Sequence, residues 1–182
     1  MRFGDKPREN KLSKLDIYRS LFNGRNDVFA RRWEKGKKAG YMPAYDYDRN
    51  KYWLHKNDGG NFDEFKEKKL IPLTDQQLIN HLQGKEFIGI YPLLKDNTSW
   101  FIAADFDKEN WVEECRTLII ACKEKGIPAY LERSRSGKGG HVWIFFDNAY
   151  PAFKSRRILN NLLEQAGLFY FLLIAIPVHG NR

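Results

Sequence analysis

The stretch 100-WFIAADFDKENW-111 contains five apolar residues that lead directly into two aspartates, Asp105 and Asp107. An apolar run of this length, preceded by a turn at 95–98, predicts a β-strand over 100–106. Residues i and i+2 of a strand lie on the same face, about 6–7 Å apart, so both carboxylates share the face of Phe101 and Ala103. The other side chains are expected to fill the core: Trp100, Ile102, Ala104 and Phe106.

The regular pattern continues after this strand. The apolar spacing and glycine stops predict, in order, a helix over 108–125, a strand over 128–134, a turn over 136–140, a strand over 141–146, a helix over 152–166 and a strand over 168–178. The order β-α-β-β-α-β predicts an α+β fold with a sheet like that of RNA-recognition motifs, over about 100–178. The first and third strands of such a sheet are neighbours, which would bring His141 close to the two aspartates.

The region before this unit is basic and less regular. We expect a helix that ends near Asn23, a second short helix from Asp27 to Trp33, and a loop with little regular structure over 36–69. A helix that begins at Thr74 and a short strand over 87–91 follow. We therefore predict a basic α/β unit over 1–98 and a catalytic unit over 99–182, which together form one domain.

The composition is that of a globular protein of the cell interior. The 182 residues are 42% hydrophobic and 15% aromatic, which is enough for a packed core. No stretch approaches the roughly 20 apolar residues of a membrane span, and no secretory signal is recognisable at the start. Cys115 and Cys122 match no zinc or redox motif, so we expect buried thiols, a reducing compartment and a cytoplasmic location.

The chain has an excess of positive charge. It contains 31 Lys and Arg against 23 Asp and Glu, a net charge of +8, which favours polyanions such as nucleic acid. The excess is concentrated in residues 1–42. The residues expected to contact nucleic-acid phosphates are Arg25, Arg31, Arg32, Lys37 and Lys38. The alternative is an ordinary solvated basic face.

Asp105 and Asp107 form a candidate metal site. Two carboxylates on one strand face repel each other, and a shared divalent cation removes that conflict. Carboxylate oxygens suit Mg²⁺ or Mn²⁺, which catalyse in-line attack on phosphates. The alternative interpretation of this pair is a solvated loop start, since D-x-D also occurs by chance.

The stretch 132-ERSRSGKGGHVWIFF-146 is a candidate anion-binding loop. It is not a Walker-type phosphate loop, because Glu132 stands where that motif requires its first glycine. Glycines allow backbone N–H groups to approach an anion, and side chains around them add charge and donors. The residues expected to bind a nucleoside triphosphate are Arg133, Ser136, Lys138, Gly139 and His141. The alternative is a solvated β-hairpin with a glycine-rich turn.

These motifs carry a resemblance to a known family. ADFD followed by SRSGKGGHVW resembles the D-x-D and S-x-H motifs of archaeo-eukaryotic primases, and 21-LFNGRNDVFARRW-33 and 88-IGIYPLL-94 are similar to the primase domain of TOTE conflict systems. The resemblance implies a DNA primase-polymerase that extends a primer 3′-hydroxyl on a template with nucleoside triphosphates. It implies Asp105, Asp107 and His141 as catalytic residues, the two aspartates as ligands of Mg²⁺ or Mn²⁺, and an associated helicase domain or protein.

The sequence departs from the family pattern near its end. The family has a third motif with a metal-binding aspartate after the second helix, but no acidic residue follows Glu164 here. Relative to the pattern, a segment near 165–172 is missing. This leaves open an active nucleotidyltransferase, a catalytically incomplete module that binds single-stranded nucleic acid, and a metal-dependent nuclease. The resemblance favours the first.

Overall fold

The computed structural model describes residues 13–36, 38–107 and 109–168. Its helices are α1 Lys14–Leu21, α2 Arg49–Asn57, α3 Asp75–Leu82, α4 Trp111–Glu124 and α5 Ala152–Gln165. Its strands are β1 Ala30–Lys35, β2 Lys38–Pro43, β3 Tyr45–Tyr47, β4 Lys68–Leu70, β5 Ile88–Gly89, β6 Thr98–Phe106, β7 Tyr130–Arg133 and β8 Gly140–Pro151. These elements confirm the predicted α+β class.

The second half of the chain is built around a 3-stranded antiparallel sheet in the order β6-β8-β7. The alternation of β6 directs Ile102, Ala104 and Phe106 into a core that α4 and α5 cover. Phe106 and Leu118 have no exposed surface, and burial of side chains of this size stabilises the fold by roughly 1.5–3 kcal/mol each. Cys115 and Cys122 belong to the same core as free thiols, which confirms their predicted burial.

The opposite face of this sheet is covered by the N-terminal half of the protein. Phe22, at the end of α1, packs edge-on against Trp143 and Phe145, with ring centroids 5.0 and 5.4 Å away. It also contacts Phe101 at 5.8 Å. The two halves of the chain are therefore joined through aromatic packing beside the two aspartates.

The N-terminal half corrects two of our predictions. The segment 27–33 is not a helix, because β1 forms a hairpin with β2 that runs from Ala30↔Pro43 to Lys35↔Lys38. Gly36 adopts a φ of 60°, which a glycine accommodates readily in the tight turn. The region 36–69 is not a loop either, since it contains β2, β3, α2 and β4.

Aromatic packing explains why the region 36–69 is ordered. Tyr45, Tyr47, Tyr52, Phe62 and Phe65 form a network of edge-to-face contacts. Asp48 caps α2 by accepting hydrogen bonds from the N–H groups of Asn50 and Lys51 at 2.8 and 3.1 Å. Because the aromatic residues are irregularly spaced along the chain, these contacts could not be predicted from the sequence pattern.

The described part of the second unit has the order β6-α4-β7-β8-α5. Its β6–β8 pairing confirms that the first and third predicted strands are neighbours. Except for Leu168, the strand predicted over 168–178 lies outside the described residues. Within those residues, no helix combines the length and apolar character that a membrane span needs.

Candidate active site

Three neighbouring strands place three ionisable side chains in one row. Asp105 of β6 is paired with His141 of β8, and His141 is paired with Glu132 of β7. His141 Nε2 lies 3.4 Å from Asp105 Oδ1, and Nδ1 lies 3.2 Å from Glu132 Oε2. The imidazole is therefore held between two carboxylates, on the sheet face that also carries Trp143.

Glu132 is the functional candidate that sequence reasoning missed. Its Oε2 also accepts a hydrogen bond of 2.8 Å from Trp143 Nε1, so one carboxylate orients two side chains of β8. The sequence predicts a β-hairpin around the glycine-rich turn but does not fix its register. In the structure, residue 132 lies opposite residue 141.

Asp105 lies in an environment suited to a cation. Its side chain is only 17% exposed, and Oδ1 is buried without a hydrogen-bond partner in the described structure. Burial raises the pKa of Asp105, the neighbouring His141 lowers it, and Asp107 raises it. A buried acceptor without a donor is costly, so a positive ion at this oxygen would remove an unfavourable feature.

His141 and Glu132 shift each other in opposite directions. The hydrogen bond that His141 donates to Glu132 raises the pKa of His141, burial lowers it, and Asp105 adds to the rise. The hydrogen bond from His141 is the main cause that lowers the pKa of Glu132. The row therefore favours an imidazolium, in which both ring nitrogens carry a proton.

The stability of the metal-free protein should depend on pH through His141. Since the pKa of His141 is raised above the ordinary histidine value of 6.5, its contribution to stability is fully present below that value and is lost as pH rises through the folded-state pKa. We expect His141→Asn to reduce the urea midpoint more at pH 5.5 than at pH 9, with EDTA present. An equal reduction at both pH values would contradict the raised pKa.

The glycine-rich turn is ordered by its own hydrogen bonds. Ser134 N–H donates to Gly139 O, and Gly137 N–H donates to Ser134 O, both at 2.9 Å. Arg133 Nη2 donates to Gly137 O at 3.2 Å, while Lys138 N–H donates to Ser136 Oγ at 3.2 Å. The turn is thus preformed, and the side chains of Ser136 and Lys138 lie at its exposed tip.

This turn lies directly against Asp107. A methyl group on Gly139 would be 2.7 Å from Asp107 Oδ1 and 2.7 Å from Phe106 O, a separation that real side chains do not adopt. Gly139 is therefore needed for the close approach of the turn to Asp107. The predicted metal-binding pair and the predicted anion-binding loop are neighbours in space.

Arg135 connects the turn to the N-terminal half. Its guanidinium carbon lies 4.2 Å from the centroid of the Phe87 ring, and its Nη2 lies 3.8 Å from Glu34 Oε1. A planar guanidinium stacks well on an aromatic face. The loop is therefore held against β1 as well as against Asp107.

The five residues predicted to contact nucleic acid differ in their environment. Arg25 forms a bidentate pair with Asp27 at 2.9 and 2.8 Å, and Arg32 donates to Glu34 at 2.9 Å. Arg31 and Lys38 are exposed. Lys37 lies outside the described residues. Arg25 therefore has a structural role that its positive charge alone did not reveal.

The aspartates fit a divalent cation only in part. Across residues 13–36, 38–107 and 109–168, no group of three or more His, Cys, Asp or Glu side chains is arranged to hold a metal ion. Two carboxylates, one with a buried oxygen that accepts no hydrogen bond from the described residues, suit Mg²⁺ or Mn²⁺, which commonly complete their coordination with water and substrate phosphates. Asp105 and Asp107 are thus suited to a cation that arrives with a triphosphate.

Comparison with known proteins agrees with these features. The family model described as TOTE conflict system, Archaeo-Eukaryotic Primase domain matches residues 13–170. A comparison with curated proteins found no match. The matched region includes both predicted motifs and nearly all of the described structure. The chain therefore belongs to the archaeo-eukaryotic primase domain family of TOTE conflict systems.

Proposed function

We propose that this domain catalyses metal-dependent, template-directed transfer of nucleotides from nucleoside triphosphates to a nucleic-acid 3′-hydroxyl. Membership of the family indicates nucleotidyl transfer at the level of the superfamily. The observation that carries the proposal for this chain is the contact between the two motifs. Asp105 Oδ1 is buried and accepts no hydrogen bond from any described residue, and Gly139 lies close to Asp107, so the proposed cation site and the proposed anion-binding turn are neighbours.

The roles of the acidic residues follow from their environments. Asp105 and Asp107 would hold Mg²⁺ or Mn²⁺, which stabilises negative charge on the reacting phosphate and lowers the pKa of the attacking hydroxyl. Asp105 is fixed in the sheet by its pairing with His141, whereas Asp107 follows the strand and is exposed. Asp105 is thus the rigid ligand, and Asp107 is the one that can adjust to the substrate.

The basic residues would bind the triphosphate. Lys138 and Ser136 lie at the tip of the preformed turn, and Arg133 stiffens it through Gly137 O. An imidazolium at His141 would donate a hydrogen bond from Nε2 to a phosphate oxygen, while Glu132 accepts the hydrogen bond from Nδ1. Donors that are positioned before the substrate arrives need little reorganisation during the reaction.

Glu132 should act through His141 rather than on the substrate. Glu132→Gln removes the charge that holds Nδ1 of His141. We therefore expect kcat to fall roughly 10- to 100-fold, the range seen when the partner that orients a metal-binding histidine is lost. The alkaline limb of the pH–rate profile should move to lower pH, because the imidazolium loses its main stabilising partner. Glu124→Gln, at the end of α4, is the matched control, and an unchanged profile in Glu132→Gln would contradict this role.

The proposed substrates are a DNA template with a primer and nucleoside triphosphates. We propose that the units 1–98 and 99–182 act together, since Arg135 and Phe22 connect them beside the site. A helicase domain or protein is the proposed partner, because primases work on strands that must first be separated.

The second candidate is a catalytically incomplete module that binds single-stranded nucleic acid. The observation that favours it is the absence of any acidic residue after Glu164. Binding through the open sheet face of RNA-recognition folds is disfavoured, because Phe22 packs against Trp143 and Phe145 on that face. Such a module would therefore need another surface.

A primer-extension assay distinguishes these candidates. A labelled primer on a DNA template is incubated with nucleoside triphosphates and Mn²⁺, and the added nucleotide is compared with the templating base. We expect templated extension by the native chain and none by Asp105→Ala. Binding of the oligonucleotide without extension by either protein would favour the incomplete module, and strand cleavage would favour a nuclease.

A further inference from the structure

The β1–β2 hairpin has two faces with different chemistry. Because directly opposed residues of antiparallel strands share a face, the register places Arg31 with Met42, Trp33 with Gly40, and Lys35 with Lys38 on the outer face. Arg32 and Glu34 alternate onto the other face. The outer face therefore combines three cations with one large aromatic ring and contains no carboxylate from either strand.

Trp33 is held flat against its partner strand. A methyl group on Gly40 would lie 3.0 Å from Trp33 Cζ2 and 3.1 Å from Cε2. The indole therefore covers the glycine backbone with one side of its ring system. The side chain is nevertheless 40% exposed, which leaves an aromatic platform accessible from solvent.

The positive charges around this ring are not neutralised. Within the described part of the chain, Arg31, Lys35 and Lys38 form no ion pair. Lys35 and Lys38 lie directly opposite each other, an arrangement of like charges that destabilises a hairpin. A polyanion bound to this face would relieve the repulsion.

The inner face of the hairpin connects this surface to the candidate site. Glu34 accepts a hydrogen bond from Arg32 at 2.9 Å and lies 3.8 Å from Arg135 of the glycine-rich turn. Arg135 in turn packs on Phe87. The hairpin therefore borders the loop proposed to bind the triphosphate.

From these observations we propose that the outer face of the β1–β2 hairpin binds single-stranded nucleic acid. A base stacks on Trp33, and the phosphates on either side contact Arg31, Lys35 and Lys38. Stacking requires an unpaired base, and an aromatic platform within a basic strip is the combination that single-strand binding uses. The inference rests on the proposed function, whose template supplies the strand.

The test is equilibrium binding of a fluorescein-labelled oligothymidylate, followed by fluorescence anisotropy without metal or nucleotide. We expect Trp33→Ala to weaken binding roughly 5- to 100-fold, the range for the loss of one stacked base. Trp53→Ala is the matched control, since Trp53 is 61% exposed on α2 and lies outside the hairpin. It should bind like the native chain. An oligonucleotide with abasic positions should bind the native chain and Trp33→Ala equally.

The cations are tested by salt dependence. Lys35→Gln should reduce the slope of log affinity against log salt by about 0.7, the value for one phosphate contact on a single strand. Asp105→Asn should bind the oligonucleotide as the native chain does, so that a failure of catalysis is distinguishable from a failure of this surface.

Two outcomes would overturn the proposal. One is native oligonucleotide affinity in Trp33→Ala, with circular dichroism that shows a folded protein. The other is a Trp33→Ala protein that binds the oligonucleotide with native affinity but no longer self-associates on a sizing column as the native chain does. That result would assign the face to a protein interface.

Discussion

Asp105→Asn should lose nucleotide incorporation by about 10³-fold or more, because a cation-binding charge contributes several kcal/mol to phosphoryl chemistry. The same change should leave the fold intact or make it more stable in the absence of metal. Burial is the largest influence on the pKa of Asp105 and disfavours its charged form, and Oδ1 has no hydrogen-bond donor in the described structure. A neutral amide avoids that cost.

The measurements are single-turnover incorporation with Mn²⁺ and urea unfolding in EDTA. Asp147→Asn is the matched control, since Asp147 lies exposed on β8, remote in register from His141. It should retain native incorporation and a native urea midpoint. If Asp105→Asn instead unfolded at clearly lower urea, the acid would be a structural residue, and its loss of activity would carry no information about a cation.

Gly140→Ala should produce a large loss of stability. An added methyl group would lie 2.8 Å from Cε3 and Cζ3 of Trp111 and 3.2 Å from Cys115 Sγ. These atoms belong to α4 and cannot move without shifting the helix on the sheet. Overpacking of this kind costs about 1–3 kcal/mol. Activity should fall too, because Gly140 directly precedes His141.

Thermal and urea unfolding measure this effect, with Gly89→Ala as the control. A methyl group on Gly89 would meet its nearest neighbour, Ala30 Cβ, at an ordinary 3.5 Å, so we expect a change of less than about 0.5 kcal/mol there. Equal unfolding midpoints for Gly140→Ala and the native chain would contradict the packing that the structure describes.

The second half of the chain was predictable because its elements have regular periods. The apolar run over 100–106 and the apolar spacing of 111–122 match β6 and α4 closely, and Gly126 follows the helix as a stop with a φ of 69°. The predicted strand order also placed His141 on the strand beside the two aspartates, and the structure adds the register that pairs it with Asp105. Local signals and tertiary contacts agree in this region, which is the condition under which sequence patterns predict structure well.

The N-terminal half was less predictable for physical reasons. The residues of 27–33 are compatible with a helix, but two features stabilise a strand instead. One is the hairpin with β2, and the other is the packing of Phe29 in a second hydrophobic core, which is formed with Ala44, Leu73, Leu78 and Ile88. Aromatic residues in 45–65 are spaced for neither helix nor strand, and their order depends on contacts between distant residues. Tertiary packing overrides local propensity in such segments.

Within the candidate site, sequence reasoning identified Asp105, Asp107 and His141 but not Glu132. The aspartates and the histidine are recognisable as residue types in motifs, whereas Glu132 is defined by its contacts to His141 Nδ1 and Trp143 Nε1. Positioning residues of this kind are visible only when side-chain geometry is known. The paired state of Arg25 with Asp27 is a further example.

Manganese binding tests the central claim, which is that Asp105 and Asp107 hold a divalent cation beside the glycine-rich turn. The free Mn²⁺ signal in electron paramagnetic resonance is titrated with the native chain, Asp105→Asn and Asp147→Asn, each with and without a non-hydrolysable nucleoside triphosphate. We predict that the triphosphate strengthens Mn²⁺ binding to the native chain and to Asp147→Asn, and that Asp105→Asn loses this gain. Equal Mn²⁺ affinity in the native chain and Asp105→Asn, with the triphosphate present, would contradict the account.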